Sequence, residues 1–151
     1  MITIDFETYY ASDYSLTKLT TEEYVRDPRF QVVGVSVKVN NEPAEWFTGD
    51  IEETAEWLAF FDWHNHFVLA HNAIFDAAIL TWVFGQKPKA WLDTLSMARA
   101  VLGTQVGGSL AKLVEYFGLG VKGTEVVDAK GLRREDFGVQ QLAQYGEYCK
   151  N

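Results

Sequence analysis

Apolar and polar residues alternate through the opening stretch MITIDFETYY, with Ile2, Ile4 and Phe6 on one face and Thr3, Asp5 and Glu7 on the other. A period of two predicts a strand over residues 2–7, with one core face and one solvated or functional face. Residues 9–30 are largely polar, and Thr20 with Glu23 has the spacing of a capping box for a short helix ending before Pro28. Alternation returns in QVVGVSVKV (31–39), which predicts a strand with Val33, Val35, Val37 and Val39 inward. NNEP (40–43) marks a turn, and AEWFT (44–48) reads as the return strand of a hairpin. Asp50 then caps IEETAEWLAFF, where Ile51, Ala55, Leu58 and Phe61 recur at helical spacing. HFVLA (66–70) is a short continuous apolar run, as expected of a buried parallel strand. NAIFDAAILTWVF (72–84) reads as a helix with Asn72 as N-cap. AWLDT (90–94) reads as a strand, followed by a helix carrying Leu95, Met97, Ala98 and Val101. After the loop GTQVGG (103–108), Ser109 caps a helix that ends at Gly118, and a last helix runs from about Glu135 to the end of the chain.

The order is strand, hairpin, helix, strand, helix, strand, helices. A meander followed by βαβ units predicts an α/β fold, a mixed sheet of antiparallel and parallel strands flanked by helices. The 151 residues, 48% of them hydrophobic, suit one domain spanning 1–151 with a sizeable core. No internal repeat, low-complexity segment or linker interrupts them. No run approaches a membrane span, and the first strand begins at Met1, so neither a membrane partner nor a signal peptide is expected. Cys149 is the only cysteine, which fits a reducing, cytoplasmic setting. The net charge of −8 argues against affinity built on neutralising phosphates directly. Bound cations would have to bridge such a chain to nucleic acid.

Two acids two residues apart on a strand, Asp5 and Glu7, point to the same face, where mutual repulsion raises a pKa unless cations intervene. Asn72 and Asp76 are i and i+4 on the helix after a buried strand, so they share a helix face near the carboxyl edge of the sheet. Converging carboxylates make an oxygen-rich site suited to Mg²⁺ or Mn²⁺. Two such ions can activate water and stabilise a leaving oxygen in phosphodiester cleavage. Each residue also has a plain structural reading: a solvated strand face for the pair, a helix-dipole acid for Asp76 and a cap for Asn72.

Together, DFET (5–8), HNAIFD (71–76) and YGEYCKN (145–151) resemble the three motifs of the DEDD, or DnaQ-like, 3′-5′ exonuclease superfamily, in its tyrosine subclass. LTTEEYVRDPRFQVVGVSV, WLDTLSMARAV and GGSLAKLVEYFGL are similar to proofreading domains at the N-terminus of phage-like family A DNA polymerases. The resemblance implies a ribonuclease H-like five-stranded sheet. It implies a 3′-5′ exonuclease acting on single-stranded or frayed DNA with two divalent cations, Mg²⁺ or Mn²⁺, partnered by a polymerase domain of the same parent chain. It assigns metal binding to Asp5, Glu7 and Asp76, and orientation of the attacking water to Tyr148. Thr8 and Phe75 would contact the terminal nucleotide, and Asn72 would position the strand. The third motif reads Tyr-x-x-x-Asp; Tyr148 would place its aspartate at position 152, one residue past the end, whereas Tyr145 would require it where Cys149 stands. The chain is accordingly read as an N-terminal fragment of a longer polymerase. A catalytically silent DNA-binding or scaffold module and a ribonuclease D-like exoribonuclease are the alternative readings.

Other patterns carry less. GLGVKG (118–123) matches a dinucleotide fingerprint but follows a helix, so Gly118 is better a C-cap. His64, His66 and His71 have no nearby cysteine to complete a zinc site. Arg133 and Arg134 could touch phosphates or line a solvated helix entrance. Trp46, Trp57, Trp82 and Trp91 fall at core spacing, which favours packing over base stacking.

Overall fold

The computed structural model describes residues 1–120 and 129–150. Its centre is a five-stranded sheet: β1 (Ile2–Thr8), β2 (Val32–Val39), β3 (Glu45–Phe47), β4 (Phe67–Ala70) and β5 (Ala90–Asp93), in the order β3-β2-β1-β4-β5. β1, β2 and β3 pair antiparallel, whereas β1–β4 and β4–β5 pair parallel. This is the mixed α/β sheet that the alternation predicts. Helices α1 (Thr21–Arg26), α2 (Ile51–Leu58), α3 (Ile74–Ala78), α4 (Thr94–Leu102), α5 (Leu110–Phe117) and α6 (Val139–Lys150) flank it. Among the described residues no helix is long and apolar enough to cross a membrane.

The helix starts follow local chemistry. Thr20 and Glu23 close a reciprocal capping box on α1, and Asp50 with Glu53 does the same on α2. Ser109 caps α5, and Gly118, at φ 65°, ends it in the left-handed conformation. The fingerprint-like run continues past Gly120 into residues outside those described. Two boundaries differ from the pattern. Asn72 does not cap α3; it sits one residue before the N-cap Ala73, at φ 61° in the turn out of β4. The last helix begins at Val139, because a single 3₁₀ turn (Arg134–Asp136) and Gly138 intervene after Arg133.

The main core lies on one face of the sheet. Ile2, Ile4 and Phe6 of β1 meet Val35 and Val37 of β2, Val68 of β4, and Tyr24, Leu58 and Ile79 from the helices above. Leu58, fully buried in the main core, serves as a control: Leu58→Ala should lower stability by about 2–5 kcal/mol without altering metal affinity, measured by denaturant melts beside metal titration. Val33 departs from the pattern. A β-bulge sets Glu7 opposite Gly34 but Thr8 opposite Val32, so Val33 is the extra residue and turns to the other face. There it packs with Ala129 and Tyr145 in a second, smaller cluster. Trp82 also departs from core placement: it is half-exposed, with the Arg26 guanidinium 5.2 Å from its ring.

Candidate active site

The site forms where β1 outruns its parallel neighbour. Pairing of β1 with β4 covers Ile2–Val68 and Thr3–Leu69, so the later residues of β1 extend past that register. Alternation turns Asp5 and Glu7 away from the main core, opposite Ser36 and Gly34 of β2. Asp76 arrives from α3 on the core side and accepts the N–H of Phe6 on Oδ1 at 3.0 Å. It is only 3% exposed. Burial holds its carboxyl well above the usual carboxylate range, and the nearby charges of Asp5 and Glu7 push it further; the Phe6 N–H works the other way. Three carboxylates, one of them almost fully buried, therefore share one electrostatic neighbourhood.

Helix α6 closes this neighbourhood from the opposite face of the sheet. Tyr145, 4% exposed, donates its hydroxyl to Glu7 Oε2 at 2.8 Å, and the Cys149 thiol donates to Oε1 at 3.4 Å. Single ligand atoms of Asp5, Glu7 and Cys149 all lie within 4.8 Å of one another. Burial and the charge of Glu7 raise the Tyr145 pKa, so its phenol stays a donor at neutral pH. Tyr148, whose ring centroid is 6.4 Å from that of Tyr145, faces the same region: burial, Glu7 and Tyr148 together raise the pKa of Tyr10. The Tyr145 hydroxyl thus reaches Glu7 from one turn before the tyrosine singled out by motif.

The remaining candidates surround the carboxylates. Thr8 is buried, with its hydroxyl 2.8 Å from that of Tyr24. Phe75 is half-buried, its ring 5.9 Å from that of Tyr24. Asn72 is exposed, and its backbone N–H donates to Asp93 Oδ1 at 2.9 Å. Asp93 also accepts from Leu95 N–H and the Ser96 hydroxyl, capping α4. Partial burial raises its pKa, but these bonds outweigh that and hold it below the usual range. The sequence motifs do not single out Asp93, which caps α4 and accepts the Asn72 N–H, or Tyr145, whose hydroxyl bonds Glu7. For Asp93 the usable signal is Asp-Thr-Leu-Ser, an N-cap followed three residues later by a hydroxyl. For Tyr145 it is the shared helix face with Tyr148 and Cys149 at i+3 and i+4. His71 bridges Thr94 Oγ1 and the Gly108 carbonyl, both at 2.9 Å, tying the loop before α5 to the sheet edge.

The donor set fits hard divalent cations. Asp5, Glu7 and Asp76 supply carboxylate oxygens, and crowded carboxylates with an up-shifted buried member are relieved by positive charge. The Cys149 sulfur is a soft donor and belongs less well to such a set.

The family model of the 3′-5′ exonucleases matches residues 13–132. The chain belongs to this 3′-5′ exonuclease family. The match includes Asn72, Phe75 and Asp76; Asp5 and Glu7 lie before it and Tyr145–Cys149 after it. No curated protein sequence matches the chain. Among solved structures, Brucella melitensis NrnC superposes with TM-score 0.67 at 15% identity, covering 99% of this chain and 64% of that one. Brucella melitensis NrnC with bound Mg²⁺ superposes with TM-score 0.57 at 16% identity and the same coverages. The exonuclease chain thus spans about 64% of the length of these neighbours and shares their fold.

Proposed function

We propose that this exonuclease domain hydrolyses the 3′-terminal phosphodiester of single-stranded or frayed DNA, releasing nucleoside monophosphates, as in proofreading beside a polymerase domain. The observation that carries the reading is the convergence of buried Asp76 from α3 on Asp5 and Glu7 of β1. Asp5, Glu7 and Asp76 would hold two Mg²⁺ or Mn²⁺ ions, as the bound Mg²⁺ named for one structural neighbour also favours. When bound, such cations supply charge neutralisation of the phosphate and a more acidic water.

The chain's own residues do the rest. The Phe6 N–H fixes one oxygen of Asp76, which keeps that carboxylate in place between substrate turnovers. Glu7, gripped from α6, faces the same side as Asp5. Tyr148 orients the attacking water by hydrogen bonding. Asn72, exposed in its left-handed turn, positions the strand, and Phe75 and Thr8 shape the floor beneath the terminal nucleotide. A cavity of about 580 Å³ opens beside Asp5, lined also by Lys38, His71, Thr94 and Lys150. Lys38 supplies positive charge that an otherwise acidic site lacks for a sugar-phosphate chain, while Lys150 is ion-paired with Glu147 at 2.5 Å.

End-labelled oligonucleotides test this reading. A 3′ label on single-stranded DNA should appear as mononucleotide at the earliest times, a 5′ label only at the end, and EDTA should stop both. Faster release from RNA of the same sequence would move the substrate to RNA. No release with Mn²⁺ or Mg²⁺ would leave a silent, strand-binding module.

A further inference from the structure

Glu7 lies on a half-buried strand face, where an acidic side chain has several staggered rotamers to choose from. Both its oxygens are nevertheless gripped from one helix face, Oε2 by Tyr145 and Oε1 by Cys149 one turn later. The stronger of the two donors is buried in an aromatic box. The ring of Tyr145 is 6.0 Å from Trp46 and 5.8 Å from Phe137, centroid to centroid.

The box itself has an unusual construction. The Trp46 indole lies between two glycines, Gly34 of β2 below and Gly146 of α6 above. A Cβ on Gly34 would sit 2.2 Å from the ring and one on Gly146 2.4 Å from it. Neither glycine has the positive φ that would demand glycine for its backbone. Both are therefore set by close approach alone. Gly34 pairs directly with Glu7, so the slab, the acid and the helix are stacked in one register. The indole Nε1 is buried without a hydrogen-bond partner in the described structure, a cost accepted at this one place.

We infer that Tyr145 is a positioning residue that locks Glu7 for cation binding, and that the Trp46 slab between Gly34 and Gly146 sets the height of α6 at which it can do so. The inference rests on the metal-dependent reading above. Tyr145 acts through Glu7 and need not touch substrate, which separates it from the water-orienting role proposed for Tyr148.

Calorimetric titration with Mn²⁺ alone, with melting curves in EDTA, tests it. Tyr145→Phe removes one oxygen and keeps the ring, so the fold should hold while Mn²⁺ binding weakens about 10-fold or more, as for loss of an outer-shell partner of a metal ligand. Gly146→Ala keeps the hydroxyl but forces α6 and the indole apart, and should weaken Mn²⁺ binding comparably. The double variant should bind no worse than the weaker single variant, because both remove the same grip. Tyr145→Phe binding Mn²⁺ within about twofold of the parent, while Asp5→Ala loses binding, would overturn the inference and spare the metal reading. A parent chain that bound no Mn²⁺ would overturn both.

Discussion

Asp76→Asn is expected to abolish nuclease activity and, in EDTA at neutral pH, to raise the melting temperature. The two effects share one cause. Asp76 is 3% exposed and lies near two further carboxylates, and its pKa stands above the unfolded value. Between those two pKa values the folded state holds a proton that the unfolded state has released. Stability is then greatest at low pH and falls as pH rises through the folded pKa. An asparagine has no charge to bury and can still accept the Phe6 N–H on Oδ1, so it removes the penalty and keeps the bond. Melting curves in EDTA from about pH 4 to about pH 8 should show the variant's advantage growing with pH. Saturating Mn²⁺ should invert the order, since a ligand that binds only the folded parent stabilises it by mass action. A variant less stable than the parent at every pH in EDTA would show that the charge of Asp76 is compensated in some other way.

Which parts of the candidate site can be read from the chain follows from how local each signal is. Asp5 and Glu7 were legible because strand alternation is local: the face that carries Ile2, Ile4 and Phe6 dictates the face that carries the acids. The mixed sheet was legible for the same reason. The bulge was not, because the extra residue Val33 is defined only by the register of β2 against Glu7 and Thr8, more than twenty residues away. Asn72 reads as a cap from its residue type, yet the turn out of β4 places it in the left-handed region and leaves Ala73 at the helix start. Asparagine tolerates that conformation better than most residues, which is a different use of the same side chain. The Tyr145 hydroxyl bonds Glu7 across 138 positions of sequence; the spacing within α6 groups Tyr145 with Tyr148 and Cys149 on one face but does not name the acid they meet. The motif spacing pointed to Tyr148; the geometry adds Tyr145 from the preceding turn of the same helix face.

Gly34→Val is expected to be among the most damaging substitutions outside the acids, and to act on the site from beneath. Valine is a favourable strand residue, so propensity alone predicts a gain. Packing predicts the reverse: the new Cβ would meet the Trp46 ring at 2.2 Å and the Phe47 carbonyl oxygen at 3.0 Å. The backbone oxygen belongs to the paired neighbour strand and cannot move aside cheaply, so the indole must leave its slot. Overpacking of this kind costs about 1–3 kcal/mol, occasionally more. Trp46 is also the surface on which Gly146 rests, so a displaced indole lifts α6 and takes Tyr145 and Cys149 off Glu7. The expected result is a lower melting temperature, an altered near-ultraviolet tryptophan signal and weakened Mn²⁺ binding in one variant. Trp46→Ala in the same chain should restore part of the melting temperature, because the space the valine needs is then vacant; it should not restore Mn²⁺ binding, because the slab that sets the helix height is gone. Recovery of both would mean that α6 finds its place without the slab, and a Gly34→Val chain as stable as the parent would mean that Gly34 and Trp46 do not meet as closely as their backbones require.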